Sequence, residues 1–355
     1  MAADRRGDGI ATVTPLPSDD DIKQNPCRDT ERTDTMRQVV LGRTGQKVSA
    51  IGLGTWAFGG PNLDGDTSVG WSQQSDDDSK DALVRSWELD INHWDTADVY
   101  GDGRSERVIG QMWKAVPRDR IFLASKVGWD KGDYDHYYHP SLMRRKLEQS
   151  LENMKTDVID LYYFHHCLFG KSGEFFDGAL EAMRRFQEEG KIRFIGLSDW
   201  DSKKIMTYAP RVQPDVVQPY RNVSDDTYES SGLKSWVESH QAGVVFFSPL
   251  KHGLLTGKYT GPVTFGPGDF RSGKGEFQDM AVIEKMRSNR RKLQERFPGH
   301  AEPVLHGVVD ALLTDAPTGC VLVGQRNRRQ AESAGRLGTP LTEEDARWIR
   351  SLFAS

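Results

Sequence analysis

From about residue 37 onward, short apolar runs alternate with longer amphipathic stretches. The runs at 50–53, 91–94, 121–125, 158–164, 194–197, 216–218, 244–247 and 320–323 are nearly continuous in apolar residues. That is the pattern of strands covered on both faces. Between them, Met143, Leu147, Leu151 and Met154 recur at steps of three and four, the spacing of a helix with one buried face. Residues 105–109 open another helix; Ala179, Leu180, Met183 and Phe186 mark a third, which Gly190 ends as the glycine past its last turn. Upstream, 39–41 and 47–49 flank Gly42-Arg43-Thr44-Gly45, a hairpin by its turn residues. Eight strand–helix units in one chain predict a single α/β domain, a (β/α)8 TIM barrel with an N-terminal β-hairpin. A doubly wound sheet is the other arrangement open to this pattern.

Residues 1–36 lack the pattern and are rich in Asp, Arg, Thr and Pro. So polar a segment cannot bury enough surface to offset its ordering entropy, and it reads as a disordered tail ahead of a barrel spanning 37–355. Across the 355 residues, 37% hydrophobic and 28% charged positions make a globular, soluble mixture. No apolar run approaches the roughly 20 residues of a membrane span, and the first residues lack the apolar stretch of a secretory signal. Cys27, Cys167 and Cys320 are odd in number and far apart, which points to a reducing, cytoplasmic setting without disulfides. A net charge of −5 argues against nucleic acid as a partner.

Two local patterns invite misreading. Gly52-Leu53-Gly54-Thr55-Trp56-Ala57 fits a dinucleotide fingerprint, but that fingerprint needs a helix to open at once. Here Phe58, Gly59, Gly60 and Pro61 follow, and the next helical text begins near Asp77. His165-His166-Cys167 suggests zinc, yet adjacent strand residues point to opposite faces and cannot easily hold one ion. No metal is expected, and His166 reads as a packed residue.

The chemistry-bearing positions fall in register. Asp95 ends the second predicted strand with Tyr100 five residues on, Lys126 ends the third and His165 the fourth. In a barrel, such positions converge on the mouth where barrel enzymes place their chemistry. The residues that carry them, Asp95-Thr-Ala-Asp-Val-Tyr100-Gly, Asp160-Leu-Tyr-Tyr-Phe-His165, Gly196-Leu-Ser-Asp, Ser248-Pro-Leu and Leu255-Thr-Gly-Lys-Tyr259, resemble in kind and order the motifs of the aldo-keto reductases. The resemblance covers residues 37 to about 335. It implies Tyr100 as proton donor, supported by Asp95, Lys126 and His165. A free phenol has a pKa near ~10, so the ammonium of Lys126 is expected to bring it down, with Asp95 holding the lysine charged.

The resemblance further implies a nicotinamide dinucleotide across the mouth. Ser198, Asp199 and Gln218 would hold the carboxamide, Phe247 would lie under the ring, and Ser248, Leu250, Gly253 and Lys258 would meet the pyrophosphate. Gly324, Arg326 and Gln330 stand in a basic loop suited to a 2′-phosphate, which favours NADP(H) over NAD(H). Two positions depart from the family: Asp199 stands where Asn is usual, and Ser333-Ala334 replaces a Glu-Asn pair that meets adenine. Trp56, Phe58 and Trp129, with the stretch 133–139, are the expected substrate walls, suited to a sugar, a polyol or an aromatic aldehyde. The expected function is NADP-dependent interconversion of a carbonyl and an alcohol; the alternative is an NADP-binding regulatory subunit like the channel-associated members of the family.

Overall fold

The computed structural model describes residues 36–354; the tail expected at 1–36 therefore lies outside the described residues, except for Met36. Met36 is buried, its sulfur packed at the backbone of Gly338, so the folded body begins one residue earlier than its polarity pattern indicates.

Strands β1 (Gln38–Val40) and β2 (Lys47–Ser49) pair antiparallel as the expected hairpin. β3 (Ile51–Gly54) follows at once, and after it a small hairpin of β4 (Leu63–Asp64) and β5 (Thr67–Ser68). Then come β6 (His93–Asp95), β7 (Phe122–Val127), β8 (Ile159–Phe164), β9 (Ile192–Asp199), β10 (Val216–Pro219), β11 (Gly243–Phe246) and β12 (Gly319–Gly324). β3 and β6 to β12 pair in parallel and close into an eight-stranded barrel, with β12 beside β3. The eight apolar runs are thus the eight barrel strands, and closure rules out the open sheet. Their residues are buried almost throughout because helices cover the outside and side chains fill the inside.

The first helices show how the sequence builds the shell. α1 (Asp76–Glu88) starts at Ser75, whose side chain accepts from the Asp78 N–H, with three aspartates in its first turn. Those charges suit the positive end of the helix dipole. α2 (Arg104–Gly110), α3 (Pro140–Met154), α4 (Phe176–Glu188) and α5 (Ser202–Val212) follow their strands in turn. Met143, Leu147, Leu151 and Met154 form the buried face of α3.

The N-terminal hairpin lies against the starts of the strands, away from the mouth. Gly42 is pressed so closely on β11 that an added Cβ would fall 2.2 Å from the Gly243 nitrogen, and Ala50 N–H donates to Arg37 O at 2.8 Å.

Candidate active site

At the opposite end, β6, β7 and β8 finish side by side, with Asp95 level with Ala124 and Lys126 level with Tyr163. Lys126 Nζ donates to Asp95 Oδ1 at 2.5 Å, to Thr96 O at 2.8 Å and to the Tyr100 hydroxyl at 3.5 Å. All three ammonium hydrogens therefore have an acceptor. Gln218 Nε2 donates to Asp95 Oδ2 at 2.8 Å, and Ser198 Oγ donates to Gln218 Oε1 at 3.3 Å. Asp95 and Lys126 are 3% and 1% exposed. A charge pair this deep persists only when its remaining hydrogen-bonding capacity is used, as it is here.

Tyr100 comes from the turn after β6, and two glycines fix that turn. Gly101 has φ +62, and a Cβ there would meet Gly59 O at 2.1 Å; a Cβ on Gly59 would meet Gly101 N at 2.7 Å. The loop after β3 and the loop after β6 thus touch backbone to backbone. His165 follows β8, with its ring edge-on to Tyr100 at 5.8 Å and to Trp129 at 5.9 Å. The structure brings Asp95, Tyr100, Lys126 and His165 together.

Burial governs the protonation of the group. It pushes the Tyr100 phenol up, against the pull of Lys126, and Asp95 and Asp98 add to the rise. This corrects the expectation of a lowered phenol: the ammonium acts in the anticipated sense, but desolvation of the phenolate is larger. Burial pulls the Lys126 ammonium down, yet Asp95 and Tyr100 outweigh it and hold it above its usual range. Burial likewise pushes the Asp95 carboxyl up against the pull of Lys126 and Gln218; the 2.5 Å contact keeps the two groups as an ion pair. His165 lies well below the usual imidazole range, by burial first and then by Lys126 and His166, so it is neutral. Its Nδ1 is buried without a hydrogen-bond partner.

Trp56 stacks over Tyr100 with ring centroids 6.2 Å apart, and Trp129 is 45% exposed beside His165. Phe58 was expected on the pocket wall, but its ring is fully buried in the hydrophobic core and offers a ligand no surface. His166 packs edge-on against Trp129 at 4.5 Å and Tyr137 at 4.7 Å, and burial lowers its pKa to about 4. In the stretch 133–139, Tyr138 is fully buried and Tyr137 half-buried. Among the described residues, no group of three His, Cys, Asp or Glu is arranged to hold a metal ion.

On the other side of the mouth, Asp199 ends β9 and Phe247 follows β11, edge-on to Trp200 at 4.9 Å. Ser248, Lys251, His252 and Gly253 all have positive φ, between 46° and 92°. Left-handed residues in such a turn aim backbone N–H groups into a concavity that suits anions. Leu250 packs half-buried against the core beneath it. Lys258 leans over the Tyr259 ring at 5.1 Å, its ammonium end set back among its neighbours although the residue reaches the surface. Burial, and then Arg271 and Arg326, pull its ammonium below the usual range. Three cations therefore converge on one region, and among the described residues only Arg271 of the three has a carboxylate partner, Asp269 at 2.7 Å. This donor set fits the phosphates of a dinucleotide.

Arg326, however, is already engaged. Its guanidinium donates to Ser72 O at 2.5 Å, Gln73 O at 2.8 Å and Gln74 Oε1 at 3.0 Å, while Gln74 Nε2 donates back to Arg326 O at 2.8 Å. Gln330 Oε1 accepts from the Arg326 N–H at 3.0 Å, and Gly324 is exposed at the end of β12. Ser72 also donates, through N–H and Oγ, to Asp269. The segment 72–74, between β5 and α1, thus ties the loop after β11 to the loop after β12. Where the family's Glu-Asn pair would fall, Ser333 donates to Glu302 at 2.7 Å and Ala334 is buried.

Sequence reasoning did not single out Trp71, Gln74, Trp200, His252, Phe270 or Arg271. Trp56, Trp200 and Phe270 surround His252 at 5.0 to 6.0 Å. The available signal was Asp269-Phe-Arg271, an acid and a base flanking an aromatic within a glycine-rich loop.

Comparison with known proteins agrees with this geometry. Residues 50–353 match the model of the aldo/keto reductase family, and the chain belongs to that family. It is 28% identical over 322 residues to aldo-keto reductase YhdN of Bacillus subtilis, covering 90% of this chain and 94% of that one. It is 30% identical over 259 residues to the NADH-specific methylglyoxal reductase of Escherichia coli, covering 68% and 76%. Among solved structures, a glycerol dehydrogenase from Gluconobacter oxydans superposes with a TM-score of 0.73 at 25% identity, covering 89% of this chain and 94% of the other. The protein is an oxidoreductase of the carbonyl-reducing kind.

Proposed function

We propose that the protein interconverts a neutral carbonyl compound and its alcohol using NADP(H), with Tyr100 as the proton donor. The observation that carries this reading is the chain Asp95–Lys126–Tyr100, closed by the 2.5 Å and 3.5 Å contacts, with Asp95 and Lys126 buried and Tyr100 half-buried at the mouth. When bound, the nicotinamide supplies the hydride, or takes it in the reverse direction. The residues do the rest. Tyr100 keeps its proton through the neutral range because burial holds its phenol up, so it can donate to an oxygen that becomes an alkoxide. Lys126 compensates the phenolate left behind, and Asp95 keeps that ammonium charged and fixed. Neutral His165 has one N–H to offer the carbonyl oxygen and sets its approach. Trp56 and Trp129 exclude water from the reacting oxygen.

Ser198, Asp199, Gln218 and Phe247 would hold the nicotinamide end; Ser248, Leu250, Gly253 and Lys258 the pyrophosphate; Gly324, Arg326 and Gln330 the 2′-phosphate. The convergence of Lys258, Arg271 and Arg326 supports the phosphorylated cofactor. A cytoplasmic site of action accords with the free, buried thiols of Cys167 and Cys320. A regulatory subunit has no observation in its favour. The test is to mix the full chain with NADPH, and separately NADH, and a panel of sugar, polyol-derived and aromatic aldehydes, following the nicotinamide absorbance. Oxidation of NADPH by at least one carbonyl is expected; no turnover with either cofactor across the panel would overturn the reading.

A further inference from the structure

A bound nicotinamide ring would have one side of the mouth left to it. Asp95, Lys126 and His165 occupy the ends of β6 to β8, and Trp56 and Trp129 stand over Tyr100 and His165. A hydride partner must lie against that group. On the reading above, on which this inference rests, the ring therefore approaches from β9 to β11, where Ser198, Asp199, Gln218 and Phe247 stand.

Asp199 is the buried charge on that side, with the half-buried Lys204 and Asp201 nearby, both felt at Cys167. It is 3% exposed. Its Oδ2 accepts from the Cys167 N–H at 2.8 Å and its Oδ1 from the Asp201 N–H at 2.9 Å. A carboxylate offers about four acceptor sites, so each oxygen keeps one after these bonds are made. Among the described residues, no Lys, Arg or His forms an ion pair with it. Its field reaches its neighbours: burial pushes the Cys167 thiol well up and the Tyr137 phenol up, and Asp199 adds to both. Two residues before Cys167 lies His165, and Ser198 leads through Gln218 to Asp95, so this anion borders the reacting group on two strands.

We infer that Asp199 favours the oxidised cofactor over the reduced one and so biases hydride transfer on this protein toward carbonyl reduction, the direction that leaves the ring cationic. The oxidised nicotinamide carries a positive charge, and the reduced ring is neutral. A buried, unpaired anion beside the ring attracts the first and gives the second no such gain. The free acceptor sites of Asp199 take the carboxamide N–H groups, which are stronger donors when the ring is cationic. For unit charges about 6–10 Å apart at an effective dielectric of about 20, the attraction is a factor of roughly ten to a hundred in affinity. In this direction a hydride would pass from the bound reduced nicotinamide to the carbonyl carbon, the C=O π bond would open, and the Tyr100 hydroxyl would give its proton to the oxygen, leaving a phenolate that Lys126 compensates. The carbonyl is reduced and the cofactor oxidised.

The test is a pair of binding titrations on the full chain, wild type and Asp199→Asn, with NADP+ and NADPH, read by calorimetry. Asn keeps one acceptor oxygen for the backbone and removes the charge. The ratio Kd(NADP+)/Kd(NADPH) is expected to rise about tenfold or more in the variant. An unchanged ratio with both forms still bound would overturn the inference and leave the functional reading standing. Binding of neither form by the wild type would overturn both. Should Asp199→Asn fail to fold, the wild type decides alone: NADPH bound tenfold or more tighter than NADP+ would sink the inference, and the reverse preference would support it.

Discussion

The two sides of the barrel mouth handle charge in opposite ways. On the β6–β8 side, Lys126 spends each of its hydrogens on a protein acceptor and Asp95 is matched by Lys126 and Gln218. On the β11–β12 side, Lys258, Arg271 and Arg326 crowd together with Asp269 as their nearby counter-charge. The ion pair at the centre of the first side is complete without a ligand, and His165 Nδ1 beside it is left without a partner. The second carries surplus positive charge and holds Arg326 provisionally, on carbonyl oxygens that are weaker partners than a phosphate. Chemistry is built where the protein satisfies itself, and binding where it does not.

Four experiments would break or sharpen that contrast. The largest effect is expected from Tyr100→Phe, which removes the transferable proton and leaves the ion pair: turnover of a responsive carbonyl should drop about 10²–10⁴-fold. NADPH affinity, measured by fluorescence titration, should stay within a few-fold. Near wild-type turnover would remove Tyr100 from the proton path. Next, Lys126→Met would strand Asp95 as a buried, unpaired charge. Loss of one partner from such a pair costs about 3–5 kcal/mol, which urea denaturation would register. A much smaller loss would mean that water reaches Asp95.

Asp98 is another exception on the self-satisfied side. It lies in the turn between Asp95 and Tyr100, and neither carboxylate oxygen meets a donor in good hydrogen-bond geometry. Burial, with Glu106 beside it, raises its pKa to about 7. An acid whose folded-state pKa lies above its unfolded one binds the proton better when folded. Its contribution is therefore best below about pH 4, falls as the pH rises to about 7, and is level above that. Asp98→Asn should match the wild type in stability near pH 4 and exceed it by roughly 2–4 kcal/mol at pH 8. Equal melting temperatures at both pH values would show that Asp98 is solvated. The smallest effect concerns the cation side: Arg326→Ala should weaken NADPH by about tenfold to a hundredfold, the worth of one charge-assisted contact of about 1.5–3 kcal/mol, and NADH far less. Equal losses would mean that Arg326 serves the segment 72–74 rather than the phosphate.

This contrast also separates what was legible in the sequence from what was not. The eight strands were plain because double-sided burial writes itself as apolar runs; Asp95, Lys126 and His165 were plain because they end consecutive runs, and Tyr100 because it follows the first of them by five residues. The clamp between Gln74 and Arg326 joins positions 252 apart and works partly through backbone carbonyls, which every residue possesses. Nothing in the residue types announces it. Phe58 looked like a pocket wall because an aromatic on a loop at the strand end commonly is one; the tight turn at Trp56–Gly59 sends its ring inward. The direction of the Tyr100 shift needed the depth of burial, which only the folded chain supplies.

The contact between Gly59 and Gly101 bears on how this scaffold could be varied. It welds the loop of Trp56 to the turn of Tyr100, so that wall and acid form one piece, and any side chain at either glycine would drive them apart. Altering the first loop to admit a different substrate would therefore disturb the proton donor in the same stroke. Trp129 and Trp200 stand on other loops and are 45% and 41% exposed. A designer, or natural drift, would find freedom to retune substrate range there, and rigidity at the glycine pair.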